Sequence, residues 1–311
     1  MYRLHYWSRC SCATTLQREA QQFDSLYLTP DSVTEAKQAA ASLCGILSQV
    51  INGTLDNAFA AIRPPGHHAG PAMAGGFGII NNVAVAANYA RRVLRVPRVL
   101  IVDWDVHHGN GTQSIFLEDP NVMYFSVHRW HGGKFFPFQS SGGPSTVGKG
   151  EGLGFNVNVG WTRNGMGDDE YLAVWKTLLM PMAREFDPDL VLVSAGFDSA
   201  KGDDMGECEI TPLGYAKLTR QLMTIAEGKV VMALEGGYVN SVLGRCVASV
   251  VGALLGGTGC DVETDSVVET PLESTASGKN RVRDILDSID PVAAQNIRAT
   301  ITHHRPFWSC L

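Results

Sequence analysis

The chain has 311 residues, 45% of them hydrophobic and 18% charged, with a formal net charge of -6. That is enough apolar material for one large α/β domain or two smaller ones, and the negative balance argues against nucleic-acid binding through phosphate neutralisation. No apolar stretch approaches the roughly 18 to 20 residues of a membrane span, residues 1–20 lack the apolar core of a secretory signal, and seven scattered cysteines fit a reducing compartment, cytoplasmic and/or nuclear.

Residues 1–22 carry no assignable pattern. Cys10 and Cys12 form a C-x-C without a second pair, which reads as incidental thiols rather than a zinc site. Helical periodicity covers Thr34 to Val50, and the first apolar run, Ala58 to Ile62, leads into Arg63-Pro64-Pro65-Gly66-His67-His68. A helix is predicted over Asn82 to Leu94. Val99 to Val102 is a run of branched residues typical of a strand buried on both faces, and it leads straight into Asp103-Trp104-Asp105-Val106-His107-His108-Gly109-Asn110-Gly111. Val122 to Val127 precedes His128. A helical pattern over Asp168 to Glu185 precedes the run Leu190 to Ser194 and then Ala195-Gly196-Phe197-Asp198. Pro212 to Ala226 is helical, with Leu213, Leu218, Leu222 and Ile225 as its core face. Val230 to Leu234 runs into Glu235-Gly236-Gly237-Tyr238. Residues 256–280, rich in Gly, Ser, Thr and acids, read as a flexible loop, and Arg281 to His304 as a terminal helical segment.

Strands alternating with helices predict an α/β fold, a mostly parallel sheet flanked by helices on both faces. In such sheets ligands bind beyond the carboxyl ends of the strands, which is where all five polar motifs fall.

If the extended geometry of the second run continues, Asp103, Asp105 and His107 project to one side. Two carboxylates desolvated together need a cation or donors to neutralise them. Asp105 and His107, joined by Asp198 from another strand end, make a three-ligand site with an open position, as a catalytic zinc keeps. Two carboxylates cancel the charge of a divalent ion, so water there needs further help to ionise. His67 and His68 follow a Pro-Pro-Gly turn that fixes both rings. Asp103 can hold one as imidazolium while Asn110 orients the other without adding charge, leaving it free to move protons. Tyr238, after two glycines that allow close approach, can donate to an oxygen developing negative charge. His128 and His131 read as structural, and His303-His304 as a solvated helix face.

These motifs, with Met166-Gly167-Asp168-Asp169-Glu170-Tyr171-Leu172, resemble the zinc-dependent histone deacetylase family, class II and closest to class IIb, over about residues 23–257. The resemblance implies the arginase/deacetylase fold and a single catalytic domain over residues 23–311. It implies Zn2+ on Asp105, His107 and Asp198, and hydrolysis of N-ε-acetyl-lysine side chains of proteins, in the setting of chromatin regulation. It also implies His68 as general base then acid, His67 as an electrostatic partner held by Asp103, and Tyr238 polarising the acetyl carbonyl. Phe77 and Phe136, with Gly76 and Gly236, would line the slot for the lysine stem. A structural K+ would use Asp103, Ser126 and the Val127 carbonyl, shared with Asp105 and His107. An acetylated protein is the implied partner, and assembly into a multiprotein complex is compatible with it.

Two departures stand out. The family's first strand and pocket-mouth loop have no recognisable counterpart before about Phe23, which reads as an abbreviated form. Gly202-Asp203-Asp204-Met205 replaces the usual G-D-P-x, and Gly78 stands where Cys is common. An acid at the position of Met205 marks the polyamine-selective branch, so Met205 favours acetyl-lysine. The competing readings are an acetylpolyamine or other small-amide deacetylase, and a non-catalytic acetyl-lysine binder. An arginase-like two-metal site lacks the necessary carboxylates.

Overall fold

The computed structural model describes residues 2–257 and 276–311. In chain order the elements are α1 (Tyr2–Trp7), α2 (Ala13–Ala20), α3 (Ser32–Ile51), β1 (Ala58–Ala60), α4 (Asn82–Arg92), β2 (Val99–Asp103), α5 (Asn110–Phe116), β3 (Val122–Arg129) and β4 (Asn156–Trp161). There follow α6 (Asp168–Val174), a π-helical turn (Trp175–Leu179), α7 (Met180–Phe186), β5 (Leu190–Ala195), α8 (Pro212–Leu222), β6 (Val230–Leu234), α9 (Asn240–Leu254), α10 (Ala276–Asp287) and α11 (Pro291–His304).

All six strands run parallel, in the order β1-β6-β5-β2-β3-β4. Each strand divides its side chains between two cores, because alternate residues point to opposite faces. From β2, Leu100 and Val102 join Met123, Phe125, Val191 and Val193 against the layer of α6, α7, α8 and α9. Val99 and Ile101 join Tyr124, Leu190, Leu192 and Val231 against α3 and α4. Burial on both faces is why these runs are continuously apolar rather than alternating. A third, smaller core holds Trp7, Leu16 and Ala20 of α1 and α2 with Val33 and Ala36 of α3.

From β2 the chain builds outward through β3 to the β4 edge, then returns to the other side of β2 with β5 and β6. The order therefore reverses between β2 and β5, where Asp103 pairs with Ser194 at the end of the ladder. Helices diverge at such a switch point and leave a crevice.

Several elements depart from expectation. β4 is a sixth strand beyond the five that the apolar runs predict. Its Asn-Val-Asn-Val alternation suggests a half-exposed strand, yet every side chain is buried, since Asn156 and Asn158 both donate to Gln113 Oε1 and Thr300 of α11 donates to the Asn158 carbonyl. α9 and α5 were also unassigned, and the pattern over Asp168 to Glu185 is broken by the π turn. β2 stops at Asp103, and a bend carries residues 105–107, so the extended geometry expected through His107 does not hold. Leu213 is exposed rather than core, while Leu218 and Leu222 are fully buried. His304 is buried, not solvated, because it closes α11 against the body of the protein, and His303 beside it faces out. Of the loop expected over 256–280, residues 258–275 lie outside the described residues, and α10 begins at Ala276.

Candidate metal centre and active site

Asp105 and His107 sit on the bend after β2, and Asp198 on the loop after β5, the two strands that flank the switch point. One ligand atom from each lies within 4.8 Å of the others, and all three side chains are buried. Among the described residues this is the one group of three such side chains that converge. The bend brings this about: the Asp198 carboxylate accepts the Val106 N–H at 2.8 Å, Asp105 accepts the His107 N–H at 2.8 Å, and Gly236 at the end of β6 donates to the other Asp105 oxygen at 2.9 Å. His107 Nδ1 stands 3.0 Å from Asp105 and 3.1 Å from Asp198. Gly236 has to lack a side chain, since a Cβ there would lie 2.3 Å from Asp198 Oδ2.

The electrostatics are those of a site built for positive charge. Burial, and then Asp105, push Asp198 up to about 6. Burial acts the same way on Asp105, but His67 and His107 outweigh it and hold it low. Burial also opposes charge on His107, yet its bonds to the two carboxylates raise it to about 9. Two adjacent carboxylates in the interior thus attract a cation strongly, and an O, N, O donor set with one open side fits zinc.

The two histidines of the Pro-Pro-Gly turn are held differently. His67 Nδ1 bonds Asp103 at 3.0 Å, and Tyr124 donates to the same carboxylate oxygen at 2.9 Å. Burial disfavours an imidazolium, but Asp105 and Asp103 prevail and hold His67 well above its ordinary value. His68 Nδ1 bonds Asn110 Oδ1 at 2.9 Å. An amide oxygen only accepts, so this bond assigns the proton to Nδ1 and leaves Nε2 with its lone pair. Burial, then His67 and His107, keep His68 well below the usual histidine range. The turn itself is clamped by Asn81, which caps α4 and donates to the Ala69 carbonyl and to Thr112, and by the Thr112 N–H on the His67 carbonyl.

Above these groups lies a cavity of about 210 Å³ lined by Ser25, Pro65, His67, His68, Gly76, Phe77, Asp105, His107, Phe136, Met205, Gly236 and Tyr238. That is below the roughly 300–1,000 Å³ of sites that engulf a drug-sized ligand, as suits a slot for a single chain. Phe136 meets His68 edge-on at 5.0 Å, and Phe77 meets Tyr238 at 6.5 Å. Gly76 packs on the His68 ring so closely that a Cβ would fall 2.2 Å from Cδ2. Phe77 itself has φ 64, and the loop is pinned by the Gly76 and Phe77 N–H groups on the Asp24 and Ser25 carbonyls. Burial, with Asp105 and Asp198 nearby, raises the Tyr238 phenol, so it stays protonated.

The structure thus brings together Asp103, Asp105, His107, Asp198, His67, His68, Asn110, Tyr238, Gly76, Phe77, Phe136, Gly236 and Met205. Ser126 is buried in β3 with its hydroxyl bonded to His128 Nδ1 at 2.8 Å, and Val127 follows it. Cys10 and Cys12 belong to no convergent group among the described residues.

Sequence reasoning gave no role to three neighbours. Phe135 stacks on His107 at 5.3 Å and 10°. Glu235 accepts the Gly66 and His67 N–H groups at 2.7 and 3.2 Å and the Ser194 hydroxyl at 3.1 Å, with burial raising it to about 7. Asp203 reaches Tyr238. Glu235 and Asp203 lie within motifs and Phe135 beside Phe136, but their partners are remote in sequence.

A family model described as "Histone deacetylase domain" matches residues 4–254. Histone deacetylase 18 of Arabidopsis thaliana is 47% identical over 285 residues, covering 89% of this chain and 41% of that protein. Polyamine deacetylase HDAC10 of Homo sapiens is 47% identical over 241 residues, covering 78% of this chain and 36% of its own. The structure of the histone deacetylase Clr3 superposes with a TM-score of 0.77 at 39% identity, over 92% of this chain and 43% of that one. The HDA15 HD domain superposes with a TM-score of 0.79 at 35% identity, over 96% and 78%. The chain spans less than half the length of either curated relative.

Proposed function

The chain belongs to the histone deacetylase family and has its arginase/deacetylase fold, and from that premise we propose that it hydrolyses N-ε-acetyl-lysine side chains of proteins, releasing acetate. The observation that carries the reading is that Asp105 and His107, which converge with Asp198, line the same narrow slot as His68 and Tyr238.

Asp105, His107 and Asp198 would hold zinc, which when bound would supply a Lewis acid toward carbonyl and water oxygens. The remaining work falls to the chain's own groups. His68 Nε2, unprotonated, takes a proton from the attacking water and returns it to the departing amine, a service typically worth about 10²- to 10⁴-fold. The Asp103-bound imidazolium of His67, with ring centroids 4.0 Å from His68, discourages a second lasting charge there and so favours return of the proton. Tyr238, kept neutral, donates its hydroxyl to the carbonyl oxygen as charge builds on it. Phe77 and Phe136 exclude water from the alkyl stem.

The finer parts of the proposal follow the same reading. Asp103, Asp105, His107, Ser126 and Val127 would hold a structural K+, and the partner is an acetylated protein, compatible with assembly into a larger complex. The cysteines among the described residues are all free, which supports a cytoplasmic or nuclear setting, and no described helix is long and apolar enough to cross a membrane.

The similarity to a polyamine deacetylase favours a second reading, an acetylated polyamine as substrate. Against it, the slot lining contributes Met205 where a carboxylate would be needed to pair with a second ammonium.

Acetate release from an acetyl-lysine peptide, abolished by chelator and restored by zinc, is the expected result; a faster rate on acetylspermidine would transfer the assignment to the small substrate. Tyr238→Phe should lower turnover by on the order of 10²-fold, and unchanged turnover would remove the phenol from the mechanism.

A further inference from the structure

The reaction proposed above needs Tyr238 held in register with the metal group, yet the residue is 43% exposed and it follows Gly237, whose φ of +131 is open only to glycine. The motif alone therefore leaves the tyrosine loosely placed. What pins it comes from another loop: the Tyr238 N–H donates to Asp203 Oδ2 at 2.7 Å. The other oxygen of that carboxylate accepts the N–H of Met205 at 2.9 Å, and the Asp203 N–H is itself tied to the Ala200 carbonyl at 3.0 Å. Asp203 is 3% exposed. The bond to Met205 is a local turn of a kind Asp makes in many loops. The bond to Tyr238, 35 residues away, has no such ordinary explanation, and the two together hold the tyrosine and the slot residue Met205 on one rigid group.

We infer that Asp203 is a positioning residue for the deacetylase reaction: its carboxylate fixes the backbone of Tyr238 in register with Met205 and the Asp198 loop. This rests on the proposed role of Tyr238. A misplacement of about 1 Å can cost on the order of 10²-fold in rate, so the carboxylate acts on turnover through the phenol it places.

The test is a double-mutant cycle on an acetyl-lysine peptide, with kcat and KM measured separately. Asp203→Ala should lower kcat by about 10- to 100-fold with little change in KM, and should cause no further loss when Tyr238 is already Phe. Asp203→Asn keeps one accepting oxygen and should fall between. Thermal melting and zinc content of each variant show whether it is folded and loaded, and if the alanine variant does not fold, the same cycle with Asp203→Asn decides. An equal loss in the Tyr238→Phe background, or an unchanged kcat for Asp203→Ala, overturns the inference while leaving the proposed function standing. If Tyr238→Phe alone keeps full turnover, the role of the phenol fails first and the inference goes with it.

Discussion

Asp198 sets the charge balance of the site. It comes from a different strand than Asp105 and His107, and its burial beside Asp105 favours a compensating positive charge. Asp198→Ala should therefore lower the zinc content of the purified protein, measured by elemental analysis. It should also abolish the rise in melting temperature on adding zinc, a stabilisation worth about 2.7 kcal/mol when the free ion is a hundredfold above Kd. Gly76→Ala probes a neighbouring constraint. Its Cβ would strike the His68 ring, and its φ of +51 is strained for any other residue. We expect turnover to fall by on the order of 10²-fold through the misplaced base while zinc content stays at the parent level, a separation that parallel metal and activity assays resolve. At this scale the sequence was highly legible: D-x-H, the tandem histidines and G-G-Y named groups that the fold brings to one slot. Glu235 and Asp203 were not legible as contributors, although both stand in quoted motifs. A carboxylate that accepts backbone N–H groups leaves no mark on the sequence of the segment it holds.

At the scale of elements, four of the five polar motifs meet around the crevice that opens where β2 and β5 are neighbours at the reversal of strand order, while His128 after β3 is tied to Ser126 and Gly142 instead. The edge of the sheet is held differently. β4 depends on α11, whose Ala293, Ala294, Ile297 and Ile301 are buried against the core and whose Thr300 reaches the Asn158 carbonyl. α11 begins at Asp290, which accepts the N–H groups of Val292 and Ala293 at 2.9 and 3.2 Å. Asp290→Ala should cost about 1 kcal/mol of stability, read as a lower urea midpoint with an unchanged slope. The strand runs of branched residues and the amphipathic helices α3, α4 and α8 could be read from periodicity. β4 and α9 could not. Asn156 and Asn158 look like surface residues until Gln113 is brought to meet them, and α9 mixes valines and glycines that weaken a helical signal without preventing the helix in a packed layer.

For the whole molecule, pH provides a test of packing. His304 is fully buried in the structure, and burial, with His303 beside it, lowers it to about 4. In the unfolded chain the same ring titrates near 6.5. Below that pH the unfolded state binds a proton that the folded state refuses, so stability is intact at neutral pH and declines as pH falls from about 6.5 to about 4, by roughly 3 kcal/mol for this group. His304→Gln should flatten that part of the profile in urea titrations across this range. An identical slope in parent and variant would show that the ring is not the titrating group.

The identity of five of the six strands, the polar tips they carry and the family they mark were determined by the sequence itself. Each of these depends on residues adjacent in the chain, where periodicity and motif spacing act. Only the tertiary structure decided which potential ligands converge, which carboxylate holds Tyr238, that a bend rather than a continued strand presents Asp105 and His107, and that His304 lies inside. Those are relations between segments tens to hundreds of residues apart, and burial and hydrogen-bond pairing do not exist until packing brings such segments into contact.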